Sequence, residues 1–171
     1  MIVLMTGLPG TGKTTLAREL ATRTRGRILS KDEFRHGLFL PDELEYSSRQ
    51  DDFCLHLMLE TAGYLLARDP ARFVFLDGRP FSRRYQIENV LQAATCLHQP
   101  ARILECVCSE ESAKQRLEKD VAGEKHPAGN RNYQLYREVK ARFETITHPK
   151  TIIDTDQPLA ASVEQGLAAL R

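Results

Sequence analysis

The residues whose spacing carries the most chemical information lie near the start of the chain, in the run Gly7-Leu8-Pro9-Gly10-Thr11-Gly12-Lys13-Thr14. This run fits the full G-x-x-x-x-G-K-[ST] pattern of a phosphate-binding loop. Its glycines let the backbone curl so that successive amide hydrogens point at phosphate oxygens. Lys13 is expected to reach the β- and γ-phosphates, Thr14 to ligand Mg²⁺, and Thr15 to cap the helix or contact the α-phosphate. The run predicts nucleotide binding.

A carboxylate and an arginine follow the second predicted strand, in the segment Ser30-Lys31-Asp32-Glu33-Phe34-Arg35. The carboxyl ends of parallel strands carry the ligand site, so Asp32 is placed near the γ-phosphate. There it can orient an acceptor hydroxyl and accept its proton. Arg35, one helical turn further on, can bind an anionic acceptor or the transferring phosphoryl group. The alternative is that Asp32 only caps the following helix.

A second carboxylate, Asp77, ends the apolar run Phe73–Leu76 and is followed by Gly78-Arg79-Pro80. A carboxylate at that position beside a phosphate-binding loop is the Walker B arrangement, which holds Mg²⁺ directly or through water. Arg79 or Arg83 would line the acceptor pocket, whereas Arg84 would point elsewhere. A solvated helix start is the alternative for these arginines.

The polar segment VAGEKHPAGNRN at residues 121–132 contains glycine and proline, which predicts either a lid over the site or a solvated surface loop. An arginine from a closing lid can stabilise the charge of phosphoryl transfer. Arg116 and Arg131 are the candidates, and their spacing does not choose between them or exclude solvated charges. The segment Asp154–Asp156 reaches the same sheet edge and is expected to border the adenine.

The elements that must position these residues alternate between short apolar runs and longer runs of helical period, as in a parallel sheet wrapped by helices. The predicted strands are Ile2–Thr6, Arg27–Leu29, Phe73–Leu76, Ile103–Val107 and Thr151–Asp154. The predicted helices are Lys13–Ala21, Arg49–Ala67, Ser82–Thr95, Glu110–Asp120, Tyr133–Phe143 and Leu159–Leu170. Together they predict a single α/β domain over residues 1–171.

The composition excludes several classes of protein. The 24 basic and 23 acidic residues leave a formal net charge of +1, so no whole-molecule attraction to nucleic acid is expected. No apolar run approaches the roughly 20 residues of a transmembrane helix, and no signal peptide precedes the loop. The four cysteines match no zinc spacing, and we expect reduced thiols in a cytoplasmic protein.

The segments GLPGTGKTTLA, SKDEFR, LDGRP and IIDTD together resemble the P-loop kinases of the zeta-toxin and polynucleotide-kinase type. That group includes chloramphenicol phosphotransferase, and gluconate and adenylylsulfate kinases are near relatives. The resemblance implies a three-layer P-loop NTPase fold with a five-stranded parallel sheet in the order 2-3-1-4-5, a small lid, and ATP and Mg²⁺ as cofactors. It implies that Asp32 is the general base, that Arg35 contacts acceptor or phosphate, and that Arg116 or Arg131 acts from the lid.

The DGRP strand end at residues 77–80 resembles the acceptor-binding strand end of small-molecule kinases more closely than that of the toxins and polynucleotide kinases. We therefore expect an ATP-dependent kinase that transfers the γ-phosphoryl group to a hydroxyl of a small acceptor. One alternative is a kinase acting on nucleic acid ends or on a charged transfer RNA. Another is an ATP-dependent switch or assembly factor without an acceptor.

Overall fold

A computed structural model describes residues 1–122 and 132–171 of the chain, and in these ranges its centre is a parallel sheet. The strands are β1 (Ile2–Thr6), β2 (Arg27–Ser30), β3 (Val74–Asp77), β4 (Ala101–Val107) and β5 (Thr151–Asp154). Each strand pairs in parallel with its neighbours in the order β2-β3-β1-β4-β5. The predicted strand order 2-3-1-4-5 is confirmed.

Helices connect the strands and cover both faces of the sheet. They are α1 (Lys13–Thr24), α2 (Lys31–Leu38), α3 (Ser48–Arg68), α4 (Arg84–Cys96), α5 (Glu110–Ala122), α6 (Tyr133–Ala141) and α7 (Leu159–Ala169), with a short 3₁₀ turn at Pro41–Glu43. Within the described ranges, no helix is both long and apolar enough to cross a membrane.

Alternate residues of β1 point to opposite faces of the sheet, which divides the core into two clusters. Ile2 and Leu4 pack in a cluster with side chains of α3 and α4, whereas Val3 and Met5 pack with side chains of α1 and α7. All four β1 side chains are at most 1% exposed. The fold therefore has three layers, with a fully buried central strand that leads straight into the phosphate-binding loop.

Several helix boundaries differ from the predicted ones. The helix α2 lies directly after β2, where the sequence suggested a helical turn without defining a helix. The helix α4 begins at Arg84, two residues later than predicted. The helix α5 extends to Ala122, and Asn132 caps α6 by accepting a hydrogen bond of 2.9 Å from the backbone N–H of Leu135. The remainder of the predicted lid, residues 123–131, lies outside the described residues.

Candidate active site

The phosphate-binding loop connects β1 to the first turn of α1. Gly7, Gly10 and Gly12 have positive φ angles, and a Cβ on Gly7 would lie 2.2 Å from the carbonyl oxygen of Cys106. Only glycine fits at that contact. The Lys13 ammonium is buried and donates hydrogen bonds to the carbonyls of Gly7 at 2.8 Å and Leu8 at 2.7 Å. The loop thus presents a curled backbone and a cation at the N-terminus of a helix, the arrangement that binds phosphate.

Beside this loop lies a cavity whose walls come from several separate segments of the chain. Lys13 and Thr14 of the predicted nucleotide site line it, and so do Asp32 and Arg35. The remaining lining residues are Pro9, Lys31, Tyr46, Asp51, Gly78, Arg79, Pro80, Leu135, Val139 and Arg142. Thr15 is exposed and does not line the cavity. The fold therefore brings the loop and the predicted base into one cavity.

Asp32 is the second residue of α2 and is only 5% exposed. The N-cap of α2 is Ser30, whose hydroxyl accepts a hydrogen bond of 3.5 Å from the backbone N–H of Glu33. The Asp32 carboxylate instead lies 3.0 Å from the Lys31 ammonium and 3.6 Å from the Arg35 guanidinium. Capping is the role of Ser30, which leaves the Asp32 carboxylate at the cavity wall for other chemistry.

Lys31 and Arg35 are held by a carboxylate from another helix. Asp51 of α3 lies 3.1 Å from the Lys31 ammonium, and the Arg35 guanidinium donates a hydrogen bond to the same oxygen. Arg35 is 2% exposed and also stands over the ring of Tyr46, 4.9 Å from its centroid. Burial lowers the pKa of Lys31, and the nearby charge of Asp32 partly opposes that shift.

Asp77 ends β3 in register with Ser30 of β2 and is 1% exposed. Among the described residues, its Oδ1 atom has no hydrogen-bond partner. Because buried polar atoms are nearly always satisfied, this oxygen fits a hydrated cation or an ordered water. The Asp77 carboxylate and the Thr14 hydroxyl are the oxygen ligands that Mg²⁺ prefers, so these residues fit the predicted metal site.

Cys106 of β4 is buried beside the phosphate-binding loop. Burial raises the pKa of the Cys106 thiol to about 12. The charge of Lys13 opposes that shift and the charge of Asp77 adds to it, so both charges act on this thiol. The thiol is protonated and buried at neutral pH.

Of the two arginines predicted to line the acceptor pocket, the structure places Arg79 at the cavity. Arg79 is 2% exposed, and its guanidinium lies 2.7 Å from a carboxylate oxygen of Asp52 on α3. Arg83 lies away from the cavity and forms an ion pair of 3.0 Å with Glu144. Glu144 also accepts a hydrogen bond of 2.7 Å from the backbone N–H of Arg84. Arg83 thus anchors the segment after α6.

The predicted lid arginines are not at the cavity as far as the structure describes them. Arg116 of α5 donates to the Thr155 carbonyl at 2.7 Å, to the Thr155 hydroxyl at 3.0 Å and to the Gly10 carbonyl at 3.4 Å. It therefore lies between the loop and the end of β5, the edge predicted to border the adenine. Arg131 lies outside the described residues. The sequence did not single out Arg142, the arginine from the α6 end that lines the cavity.

The sheet order, the glycine-rich loop before α1 and the strand-end carboxylates define a P-loop NTPase with a kinase-like fold. Residues 2–146 match the sequence profile of the family described as the AAA domain. The match covers most of the chain, and the chain belongs to this family. A comparison with curated protein sequences found no match.

Solved structures share the fold over the whole chain. A candidate kinase from Chloroflexus aurantiacus is 25% identical, with a TM-score of 0.74 over 99% of this chain and 98% of that one. The Mycobacterium tuberculosis APS kinase CysC, solved with AMPPNP and APS, is 18% identical, with a TM-score of 0.74 over 99% and 96%. A gluconokinase from Sinorhizobium meliloti is 17% identical, with a TM-score of 0.68 over 99% and 90%. These structures support a P-loop kinase-like fold.

Proposed function

We propose that this protein transfers the γ-phosphoryl group of ATP to a hydroxyl group of a small acceptor, with Asp32 as the general base. The observation that carries the proposal is the position of the Asp32 carboxylate. It is buried at the wall of the cavity that Lys13 and Thr14 also line, and Ser30 rather than Asp32 caps the helix. A carboxylate there can orient an acceptor hydroxyl and accept its proton, which transfer to an acceptor requires.

Phosphoryl transfer needs positioning and charge stabilisation more than covalent chemistry from the protein. The loop amides and Lys13 would bind the phosphates, and Thr14 and Asp77 would hold Mg²⁺, which would supply positive charge to the phosphate oxygens. Asp32 orients the acceptor hydroxyl and accepts its proton while the new oxygen–phosphorus bond forms and the bond to ADP breaks. Lys31 and Arg35 contact the Asp32 carboxylate and fix its direction.

The walls of the cavity support a small acceptor rather than a polymer. Leu135 and Val139 of α6 line the cavity, as do Pro80 after β3 and Asp32 of α2. A pocket formed by three separate segments encloses a small molecule. The fold likeness to an APS kinase and a gluconokinase, which are named for small acceptors, points in the same direction.

The test is a screen of small hydroxyl compounds for acceptor-dependent release of ADP, with Lys13→Ala as the blank. On an active acceptor, Asp32→Asn is expected to reduce turnover by about 100-fold or more because the base is lost. Exposed Glu33 is the adjacent carboxylate, and Glu33→Gln is the matched control that should keep turnover. Wild-type turnover in Asp32→Asn would exclude Asp32 as the base. Steady hydrolysis of ATP that no acceptor changes would favour a switch.

A further inference from the structure

The cavity beside the phosphate-binding loop has more basic than acidic residues on its walls. Its basic lining residues are Lys13, Lys31, Arg35, Arg79 and Arg142, and its carboxylates are Asp32 and Asp51. Lys13 belongs to the phosphate-binding loop. The acceptor side of the cavity then has four cations and two carboxylates among its lining residues.

Most of these cations already have a carboxylate partner. Both Lys31 and Arg35 form ion pairs with the carboxylates of Asp32 and Asp51. Arg79 pairs with Asp52, which does not line the cavity. Arg142 is different. Within residues 1–122 and 132–171 no carboxylate oxygen lies within 4.0 Å of its guanidinium, although it lines the same cavity. The unbalanced charge of the acceptor side is therefore located at Arg142.

The backbone that carries Arg142 is held in place by its neighbours. Two residues further on, the backbone N–H of Glu144 donates a hydrogen bond of 2.9 Å to the carbonyl of Ser82. The Glu144 carboxylate accepts hydrogen bonds from the backbone N–H of Arg84 and from the Arg83 side chain. The intervening Phe143 packs against the hydrophobic core. The backbone that follows Arg142 is therefore held in place, and the exposed Arg142 side chain can bind a ligand with less loss of conformational entropy than on a loose segment.

We propose that the acceptor is a hydroxyl compound that carries an anionic group, either a carboxylate or a phosphate-like ester, and that Arg142 binds this group. The inference rests on the proposed kinase function and narrows its substrate class. A guanidinium can form two charge-assisted hydrogen bonds to a planar or tetrahedral oxyanion. The anion also neutralises the excess charge of the cavity, while Asp32 remains available to the hydroxyl group.

The first experiment measures anion binding without any reaction. The protein is saturated with Mg²⁺ and a non-hydrolysable ATP analogue, so that the phosphate-binding loop is filled, and inorganic phosphate is titrated by NMR. Saturable binding is expected, weakened by about 10-fold or more in Arg142→Gln because a charge-assisted contact is lost. Arg137 lies on the exposed side of α6 and does not line the cavity, so Arg137→Gln should bind phosphate like the wild type. Equal binding by Arg142→Gln, or no saturable binding by the wild type, would overturn the proposal.

The second experiment separates this inference from the kinase function on which it rests. Acceptor-dependent ADP release is measured with glycerate, glycerol phosphate and neutral glycerol. The anionic compounds should be preferred by about 10-fold or more in kcat/KM, mainly through KM, and Arg142→Gln should remove that preference. Equal use of neutral and anionic acceptors would overturn the anionic class and leave the kinase intact. Phosphate binding at Arg142 together with steady ATP hydrolysis that no acceptor changes would keep the anion site and reject the kinase.

Discussion

Lys31 and Asp51 come from different helices, and their charged groups meet 3.1 Å apart beside the cavity. The same Asp51 oxygen accepts a hydrogen bond from Arg35, so one carboxylate on α3 holds both cations that flank Asp32 on α2. The three side chains are largely buried, and pairs of this kind depend on both partners being present. Asp51 is thus a positioning residue for the proposed base.

We expect Asp51→Asn to destabilise the protein and to slow the reaction together. Removing one partner leaves two buried cations with only Asp32, which costs about 3 kcal/mol in the free energy of unfolding. Misplacement of Asp32 should lower kcat by about 10-fold, measured as acceptor-dependent ADP release. Asp42 is exposed in the 3₁₀ turn, and Asp42→Asn should change neither quantity. Wild-type stability and turnover in Asp51→Asn would show that α3 does not support the base.

The positions of Lys13, Asp32 and Asp77 could be predicted because each rests on a local pattern. The loop motif is contiguous, and parallel strands place their carboxyl ends at one edge of the sheet. The predicted sheet order also follows from the resemblance. Asp51 and Arg142 could not be predicted, because each reaches the site only through the packing of separate elements, which leaves no local pattern. Asp51 does so through α3 against α2, and Arg142 through the end of α6 beside the cavity. The pairing of Arg83 with Glu144 over 61 residues left no signal in either segment for the same reason.

The anchor at Glu144 should show a defined pH dependence. Hydrogen bonds from the Arg84 backbone and the Arg83 side chain hold the pKa of Glu144 below its ordinary value of 4.5. A lowered pKa in the folded state means that this anchor stabilises the protein fully above pH 4.5, and that the stabilisation is lost as the pH falls through the lowered value. The difference in free energy of unfolding between the wild type and Glu144→Gln should therefore be largest near neutral pH and shrink in acid.

A matched control separates the Glu144 effect from general acid denaturation. Glu88 is exposed on α4 and makes no side-chain hydrogen bond or ion pair with the described residues. Glu88→Gln should leave the free energy of unfolding close to the wild-type value at neutral pH. A Glu144→Gln difference that stays constant from neutral pH to pH 3 would contradict the anchor.

The substitution Asp77→Asn should weaken metal binding without lowering the stability of the protein. Asp77→Asn neutralises a buried carboxylate whose Oδ1 has no hydrogen-bond partner among the described residues, so the free energy of unfolding should stay equal or rise by about 1 kcal/mol. The same change should remove most of the increase in ATP affinity that Mg²⁺ provides, measured as Kd with and without the metal. Asp154→Asn, at the exposed end of β5, should keep that increase. A wild-type response to Mg²⁺ in Asp77→Asn would exclude this carboxylate as a metal partner.

Gly78 sets how closely the end of β3 approaches α2, and two glycines allow a direct test of that spacing. A Cβ at Gly78 would lie 3.0 Å from the Lys31 backbone nitrogen and 3.2 Å from that of Asp32, and its φ of +89° is unfavourable for alanine. Gly78→Ala should lower the free energy of unfolding by about 1–3 kcal/mol and reduce turnover, because the strain moves Asp32. Gly37, inside α2, has nothing within 4 Å of its Cβ position, so Gly37→Ala should raise stability by about 0.5–1 kcal/mol. If Gly78→Ala retained wild-type turnover, the close approach of strand and helix would not be what positions the base.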